Sequence, residues 1–242
     1  MANNYFDGWI AEQYEALWPD SFDAEVVEAA VSFLAELARN GRVLELGVGT
    51  GRVAVPLSRR GIRVSGIELS PAMVERLRSH DASSKIDVTI GDFATTRVAG
   101  SFRVAYLVSN TIMNLTTQDE QVQCFCNVAA HLEPGGCFVV EVIVPPWQRV
   151  PPGETMIPFD LSPGHLGVDE IDVATQNSWS HHSWFMNGTT RTFSVPFRNV
   201  WPSELDLMAR LAGMALRERW SDWSREPFTA TSASHISVWQ KA

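Results

Sequence analysis

The sequence predicts an α/β protein built on a mainly parallel sheet with helices on both of its faces. Between residues 21 and 144, segments with helical apolar spacing alternate with short aliphatic runs typical of strands. After residue 144 the alternation stops, and six of the thirteen prolines fall between Pro145 and Pro163. A chain of 242 residues is long enough for one such domain that carries an additional small sheet.

The elements of the first part follow one another in a regular order. Asp23 to Arg39 has helical apolar spacing and stops at Asn40-Gly41, and Arg42 to Leu46 is the first predicted strand. Ser70 and Thr117 are candidate N-cap residues for two later helices. In chain order, the remaining predicted elements are a helix at 52–60, a strand at 62–68, a helix from 70 to about 80, strands at 86–90 and 104–108, a helix from 117 that ends at the Pro134-Gly135-Gly136 turn, and a strand at 137–144.

The second part predicts antiparallel structure. Asn187-Gly188 is a dipeptide that favours two-residue hairpins, and pairing about it places Met186 opposite Thr189. A helix from Ser203 to Ala212 and a closing pair of strands at 215–221 and 235–240 follow. One face of the predicted hairpin would carry His182, Trp184, Met186, Arg191, Phe193 and Val195.

Composition and charge exclude several classes of function. The formal net charge is −9, and Lys85 and Lys241 are the only lysines, so a nucleic-acid partner is not expected. The apolar runs are too short for a membrane helix, and the N-terminus lacks the basic and apolar segments of a secretory signal. We therefore expect a cytoplasmic protein with no membrane partner, in which Cys124, Cys126 and Cys137 are reduced.

A glycine-rich turn after the first strand carries the strongest functional signal. Glu45 is followed by Gly47, Gly49 and Gly51 at alternate positions, where glycine lets the backbone turn sharply and approach a ligand. A dinucleotide-binding loop would place its third glycine at position 52, which is Arg52. The turn therefore does not match a nicotinamide-binding loop.

The spacing E-x-G-x-G-x-G resembles motif I of the class I S-adenosylmethionine-dependent methyltransferases. Three further segments resemble the same family in the same order: Glu68 at the end of the second strand, Gly91-Asp92-Phe93 after the third, and Leu132-Glu133-Pro134-Gly135-Gly136 before the fifth. The resemblance implies a Rossmann-like, seven-stranded, mainly parallel sheet whose last strand is antiparallel. It also implies S-adenosylmethionine as cofactor and S-adenosylhomocysteine as product.

The resemblance assigns roles to particular positions. The three glycines would pass under the methionyl half of the cofactor, whose ammonium group Glu45 would orient. Glu68 would hold the ribose, and Asp92 would accept a hydrogen bond from the adenine amine. The complete set of cofactor-binding positions implied is Tyr14, Glu45, Gly47, Gly49, Gly51, Glu68, Leu69, Asp92, Phe93 and Ser109.

The acceptor side is less defined. The core followed by an antiparallel lid is similar to the deoxyamino-sugar N-methyltransferases, which have a histidine shortly after the fourth strand. Asn114 stands nearest that place here, so the sequence offers no decisive general base. His182 and Trp184 are the other candidates, on a hairpin face that suits either an acceptor pocket or a homodimer contact. His165 is predicted in a loop, and the His181-His182 pair has no third ligand nearby, so no metal site is expected.

The sequence thus predicts three regions and one reaction. Residues 1–144 would hold N-terminal helices and the cofactor core, 145–200 an antiparallel lid over the acceptor, and 201–242 the helix and strands that complete the core sheet. The reaction would be methyl transfer to a small molecule. Two alternatives stay open: a catalytically silent regulatory protein that binds the cofactor, and a nicotinamide-dependent oxidoreductase.

Overall fold

The computed structural model describes residues 4–80, 85–186 and 188–242 of the chain. In chain order, the strands of the described residues are β1 (Val43–Leu46), β2 (Val64–Glu68), β3 (Asp87–Ile90), β4 (Phe102–Leu107), β5 (Leu132–Ile143), β6 (Met156–Ser162), β7 (His165–Asp172), β8 (Asn177–Met186), β9 (Thr189–Arg198), β10 (Met214–Trp220) and β11 (Ser234–Lys241). Their α-helices are α1 (Trp9–Leu17), α2 (Ala24–Ala38), α3 (Ala54–Arg59), α4 (Pro71–Arg78), α5 (Gln118–His131) and α6 (Pro202–Leu211).

The larger sheet has seven strands in the order β10-β11-β5-β4-β1-β2-β3. The five neighbouring strands β5, β4, β1, β2 and β3 pair in parallel. Strand β11 runs antiparallel to both β5 and β10. Every residue of β1 and β2 is buried, as expected for strands covered on both faces. The predicted seven-stranded, mainly parallel sheet with an antiparallel last strand is therefore confirmed.

Helices cover both faces of this sheet, and α2, α4 and α5 begin where the sequence indicated. The Asp23 side chain caps α2 by accepting the amide of Glu25 at 2.8 Å, and Ser70 caps α4. Thr117 and Glu120 form a reciprocal capping box at the start of α5. None of the described helices is long and apolar enough to cross a membrane.

Several boundaries differ from the predictions by one or more residues, and the differences at α6 and β5 have a visible cause. The helix expected to be capped by Ser203 begins at Pro202, and the backbone N–H of Trp201 donates to the Glu204 carboxylate at 3.0 Å. Pro202 takes the first helical position, so the N-cap is Trp201, two residues before the expected Ser203. The fifth strand begins at Leu132 instead of residue 137, because Leu132 already pairs with Phe102 of β4.

The second sheet contains β6, β7, β8 and β9 in sequence order, all antiparallel. Met186 pairs with Thr189, the register that the hairpin prediction requires. Asn187 of the predicted turn lies outside the described residues. The prediction that His165 lies in a loop is wrong, because it starts β7 and pairs with Trp184 of β8.

The inner face of the second sheet packs against the N-terminal segment of the same chain. Trp18 lies edge-on to Trp184, with ring centroids 5.6 Å apart, and Trp9 approaches the same ring from 5.8 Å. His80, two residues after α4, has its Nε2 3.7 Å from the Glu15 carboxylate of α1. The N-terminal segment therefore contacts both sheets, and its tryptophans cover the Trp184 part of the predicted hairpin face.

Candidate functional site

A cavity of about 560 Å³ lies where the carboxyl ends of the parallel strands face the second sheet. Crevices at this edge of an open α/β sheet are the usual ligand sites, and ligand pockets span about 300–1,000 Å³. Eight of the ten predicted cofactor positions line the cavity: Tyr14, Gly47, Gly49, Glu68, Leu69, Asp92, Phe93 and Ser109. The acceptor-side candidates Asn114 and His182 line it as well.

Glycine is required in this turn by backbone conformation at all three positions, and Gly51 and Gly49 differ in what surrounds them. All have positive φ angles, 69° at Gly47, 52° at Gly49 and 87° at Gly51. A Cβ at Gly51 would lie 2.9 Å from the Val55 side chain, so this glycine serves close packing and does not line the cavity. A Cβ at Gly49 would meet no atom within 4 Å, since that position faces open space in the cavity.

Glu68 connects the glycine turn to α4. Its Oε2 accepts the amide of Gly49 at 2.8 Å and its Oε1 accepts the amide of Ser70 at 2.9 Å. The side chain is only 8% exposed, and burial raises its pKa, an effect that these amides and that of Leu69 oppose. A carboxylate has about four lone-pair sites, so the two oxygens can still accept hydrogen bonds from the hydroxyl groups of a ligand in the cavity.

The residues after β3 offer a flat apolar surface beside an acceptor group. Phe93 is 9% exposed and lines the cavity with Leu69 and Met73. Asp92 Oδ1 accepts the amide of Ala94 at 2.8 Å, which fixes the carboxylate at the cavity edge. An aromatic ring next to a carboxylate is suited to a heteroaromatic base that carries an amino group.

Arg52 is a cavity residue whose role the sequence reasoning missed. Its Nη1 donates to the carbonyl of Ser21 at 2.7 Å, and its Nη2 donates to Ser109 Oγ. Among the described residues that line the cavity, it alone carries a permanent positive charge. Its position directly after the glycine turn could have revealed it, since that residue begins the segment leading into α3.

Tyr14 lies close to this guanidinium. Its ring contacts Trp18, with centroids 4.9 Å apart, and lines the cavity. Burial raises the pKa of the phenol, Arg52 opposes that effect, and Glu68 adds to it. Tyr14 is therefore a neutral phenol that α1 presents to the cavity.

The loop after β4 is held in an unusual backbone conformation. Ser109 and Asn110 have φ angles of 55° and 62°, in the left-handed region that non-glycine residues seldom adopt. Glu141 Oε2 accepts the Ser109 amide at 2.9 Å, and Asn110 Oδ1 accepts the Ile143 amide at 2.8 Å. Glu141 also lines the cavity, and its charge within an apolar strand was the signal that could have identified it.

Glu45 does not line the cavity. It is 3% exposed on β1, and its Oε2 accepts the hydroxyl of Tyr106 at 2.8 Å. Burial raises the pKa of Glu45 to about 8, although Tyr106 and the nearby Arg52 oppose the shift. The carboxyl is thus mainly protonated at neutral pH in the structure, and any influence on a ligand ammonium would act through the cavity wall.

The acceptor-side candidates separate into two groups. Asn114 and His182 both line the cavity, Asn114 from the 3₁₀ turn after β4 and His182 from β8. Trp184 is 5% exposed and does not line the cavity, because it packs behind His182 with the ring planes within 5° of parallel. No group of three or more His, Cys, Asp or Glu in the described part of the chain is arranged to hold a metal ion.

The lining fits the expected cofactor part by part. Glu68 can accept the ribose hydroxyls, Asp92 and Phe93 can contact adenine, and Arg52 can pair with the amino-acid carboxylate. Carboxylates outnumber Arg52 among the lining residues, which favours a cationic sulfonium by charge. Gly49 leaves free the space that a side chain would occupy.

Comparisons with known proteins agree with this geometry. A family model described as a methyltransferase domain matches residues 43–136. The cypemycin N-terminal methyltransferase of Streptomyces sp is 25% identical over 207 residues, which cover 82% of each chain. The structure of the CcbJ methyltransferase from Streptomyces caelestis is 36% identical, covers 100% of this chain and 99% of that one, and superposes with a TM-score of 0.89.

More distant structures share the fold. An S-adenosylmethionine-dependent methyltransferase from Clostridium acetobutylicum is 13% identical, with a TM-score of 0.80 over 96% of this chain and 98% of that one. These matches do not favour an oxidoreductase or a silent binding protein. The chain belongs to the S-adenosylmethionine-dependent methyltransferases.

Proposed function

We propose that this enzyme transfers the methyl group of S-adenosylmethionine to a small molecule bound between the β4 loop and the inner face of the second sheet. The observation that carries the proposal is the continuity of the cavity. One space extends from Gly49 and Glu68 to His182 and Phe193, so a cofactor at the glycine turn and an acceptor under the second sheet would share it.

The cofactor supplies an activated methyl group, so the protein's main task is alignment. In-line displacement needs the nucleophile, the methyl carbon and the sulfur on one axis, and such positioning supplies about 7–11 kcal/mol. We assign the fixed end of that axis to the glycine turn, Glu68 and Arg52. Ser109 would face the methyl group from the hydrogen-bonded loop after β4, where Glu141 restrains its backbone.

The acceptor end of the cavity is mainly apolar. Phe193 and Val195 are 9% and 2% exposed, and both line the cavity with Pro196 and Phe197. Such a surface suits a compact organic molecule with an apolar body and few polar anchors. Asn114 and His182 would be two of those anchors.

Nitrogen is the acceptor atom that we favour. The cypemycin N-terminal methyltransferase, which aligns with 82% of this chain, acts by its name on an amino terminus. A protonated amine would also suit the carboxylates of Asp20 and Glu141 at the cavity.

A cytoplasmic setting is part of the proposal. Cys124, Cys126 and Cys137 are unpaired thiols, two of them buried, and such thiols suit a reducing compartment.

A two-stage experiment tests the proposal. Calorimetry should first show that the chain binds S-adenosylhomocysteine and not NAD. A panel of primary and secondary amines, phenols and carboxylates is then incubated with S-adenosylmethionine, and release of S-adenosylhomocysteine is measured. Turnover with a small amine supports the proposal. Tight cofactor binding with no turnover across the panel would contradict it and favour a silent regulatory protein.

A further inference from the structure

A line of hydrogen-bonded side chains crosses the second sheet beside the cofactor site. Asp160, His165 and His182 lie on β6, β7 and β8 respectively. Asp160 Oδ2 is 2.7 Å from His165 Nδ1, and His165 Nε2 is 2.9 Å from His182 Nδ1. Both are hydrogen-bond distances, so the three side chains form one connected chain of proton donors and acceptors.

Aromatic rings hold the two imidazoles in place. The Trp184 ring lies within 11° of the His165 plane and 5° of the His182 plane, with centroids 4.8 and 5.0 Å away. Phe159 covers His182 from a centroid distance of 5.2 Å. Phe159 can lie there because residue 167 is glycine. A Cβ at that position would come within 2.2 Å of the Phe159 ring. Packing therefore fixes the geometry together with hydrogen bonds.

The two ends of this line face different surroundings. His182 lines the cavity and is 7% exposed. The Asp160 side chain, at the other end, is 38% exposed to solvent. His165 lies between them with its side chain 15% exposed. The line therefore connects the acceptor end of the cavity with water.

The hydrogen bonds determine where the protons lie when the pair is neutral. A carboxylate only accepts, so His165 carries its proton on Nδ1 and offers a lone pair at Nε2. His182 must then donate from Nδ1, which leaves its Nε2 as a lone pair. Burial and the neighbouring His165 lower the pKa of His182 to about 4, and His182 is neutral at physiological pH.

Other groups around His182 fit the same arrangement. Ser180 Oγ is 3.2 Å from His182 Nε2, the longest contact of the series and the easiest to exchange for an acceptor. Asp169 lies opposite Ser180 in the β7–β8 pairing, where its carboxylate can accept the Ser180 hydroxyl whenever that hydroxyl is not donating to His182. His181 is the third histidine, and it bonds to Ser194 on the other face of β8. The remaining ring neighbours of His182, Trp18 and Phe193, do not titrate.

We propose that Asp160, His165 and His182 form a proton relay that serves the acceptor. This inference rests on the proposed function. The N–H or O–H bond of the acceptor breaks, its proton bonds to His182 Nε2, and the Nδ1 proton of His182 passes to His165 Nε2. The acceptor's electron pair forms the bond to the methyl carbon, and the electrons of the former carbon–sulfur bond stay on sulfur.

After this step the positive charge lies on His165, beside the Asp160 carboxylate. The Ser180 hydroxyl can turn its hydrogen to Asp169 and accept from His182 Nε2–H, so each group keeps a partner. Once the product has left, the Nε2 proton of His182 passes to water in the cavity and the Nε2 proton of His165 returns to His182 Nδ1, so both histidines regain their starting tautomers. His182 is the catalytic residue of the relay, and His165 and Asp160 are positioning residues that act through it.

Nitrogen NMR of the full chain tests the relay without an acceptor. The protein is labelled with ¹⁵N-histidine and titrated from pH 8 to pH 4, and His165→Asn and His182→Asn assign the signals. We expect both histidines in the Nδ1–H form at pH 8 and one shared proton uptake with the charge on His165. Asp160→Asn should shift the midpoint of that proton uptake down by about one pH unit, which is a tenfold loss of proton affinity.

Asp172→Asn is the matched control for the aspartate change. Asp172 is an exposed aspartate at the other end of β7, bonded to Ala174 and Thr175 in a turn. The Asp172→Asn substitution should leave the titrations of His165 and His182 unchanged. Nε2–H on His182 at pH 8, or an Asp160→Asn titration identical to that of the wild type, would overturn the relay.

Kinetics separate the relay from the proposed function. With the best acceptor of the panel, His182→Asn should lower kcat by about 10²- to 10⁴-fold. Asp160→Asn should lower it by about tenfold, in line with one unit of pKa. Asp172→Asn should not change it, and affinity for S-adenosylhomocysteine should be equal in all variants. Unchanged kcat in the histidine variant overturns the relay alone, whereas failure of the wild type to turn over overturns the proposed function.

Discussion

The cofactor end of the cavity is built largely from backbone, whereas the acceptor end is built from side chains. At the first, Gly49 and Ser70 amides fix Glu68 and the loop after β4 is held by amide bonds to Glu141 and Asn110. At the second, aromatic rings from α1, β8 and β9 pack around His182. A constant cofactor can be held by a constant backbone, and acceptors that differ between enzymes require side chains that can change.

The largest expected effect on stability comes from Glu45, which is buried behind the cofactor end of the cavity. Its pKa rises from 4.5 to about 8 because the folded state buries it, so the folded state favours the neutral form. The free energy of unfolding should therefore fall as pH rises from about 4.5 to 8. The full loss is about 3–6 kcal/mol, since one pKa unit equals about 1.4 kcal/mol.

Glu45→Gln removes this titration and keeps an acceptor for the Tyr106 hydroxyl. The free energy of unfolding is measured with denaturant, without cofactor, at pH 5 and pH 8.5. Between these pH values it should fall less in the variant than in the wild type. An equal pH dependence in the two proteins would mean that Glu45 is not the buried acid responsible.

The next largest effect is expected at Glu68. Glu68→Ala removes a charged partner of the ribose hydroxyls and should cost about 1.5–3 kcal/mol, or about 10- to 150-fold in affinity for S-adenosylhomocysteine. Calorimetry measures it, with Glu75→Ala on the exposed side of α4 as control. An unchanged dissociation constant would place the ribose elsewhere.

A smaller effect is expected from Gly49→Ala. The new Cβ meets no protein atom, but a φ angle of 52° costs a non-glycine residue about 1–2 kcal/mol, so the free turn would relax, lose the amide bond to Glu68 and have to regain that conformation to bind the cofactor. We expect about a 5- to 30-fold loss of cofactor affinity. Gly61→Ala is the matched control, because Gly61 has a φ angle of 83°, meets no atom within 4 Å and lies away from the cavity. Equal affinities in the two variants would contradict the role of Gly49.

The same contrast explains which parts the sequence could predict. The cofactor end is encoded locally, since Gly47, Gly49 and Gly51 occupy one short turn whose spacing and flanking strand are visible in the sequence. Capping residues such as Ser70 and Thr117 fixed helix starts for the same reason. Arg52 stands in the same turn, but the spacing of the glycines marks it only as a position where glycine is absent.

The acceptor end depends on contacts between strands that are distant in sequence. The line through Asp160, His165 and His182 exists only because β6, β7 and β8 pair in one particular register. That register shifts between Pro158 and Asp160, and periodicity alone does not reveal such an irregularity. Pro163 and Gly164 also made the start of β7 resemble a loop, which concealed His165.

The smallest expected effect separates the two ends most directly. Trp184 lies parallel to both relay imidazoles but does not line the cavity. Trp184→Phe should therefore change affinity for S-adenosylhomocysteine by less than about twofold, because well-separated sites respond independently. It should lower kcat/KM for the acceptor, since a smaller ring holds the imidazoles less firmly. Trp179→Phe, an exposed tryptophan on the same strand, is the control and should leave both quantities unchanged. Parallel losses of cofactor affinity and acceptor turnover in Trp184→Phe, with a lower unfolding temperature, would mean that Trp184 supports the fold as a whole and that the two ends are not independent.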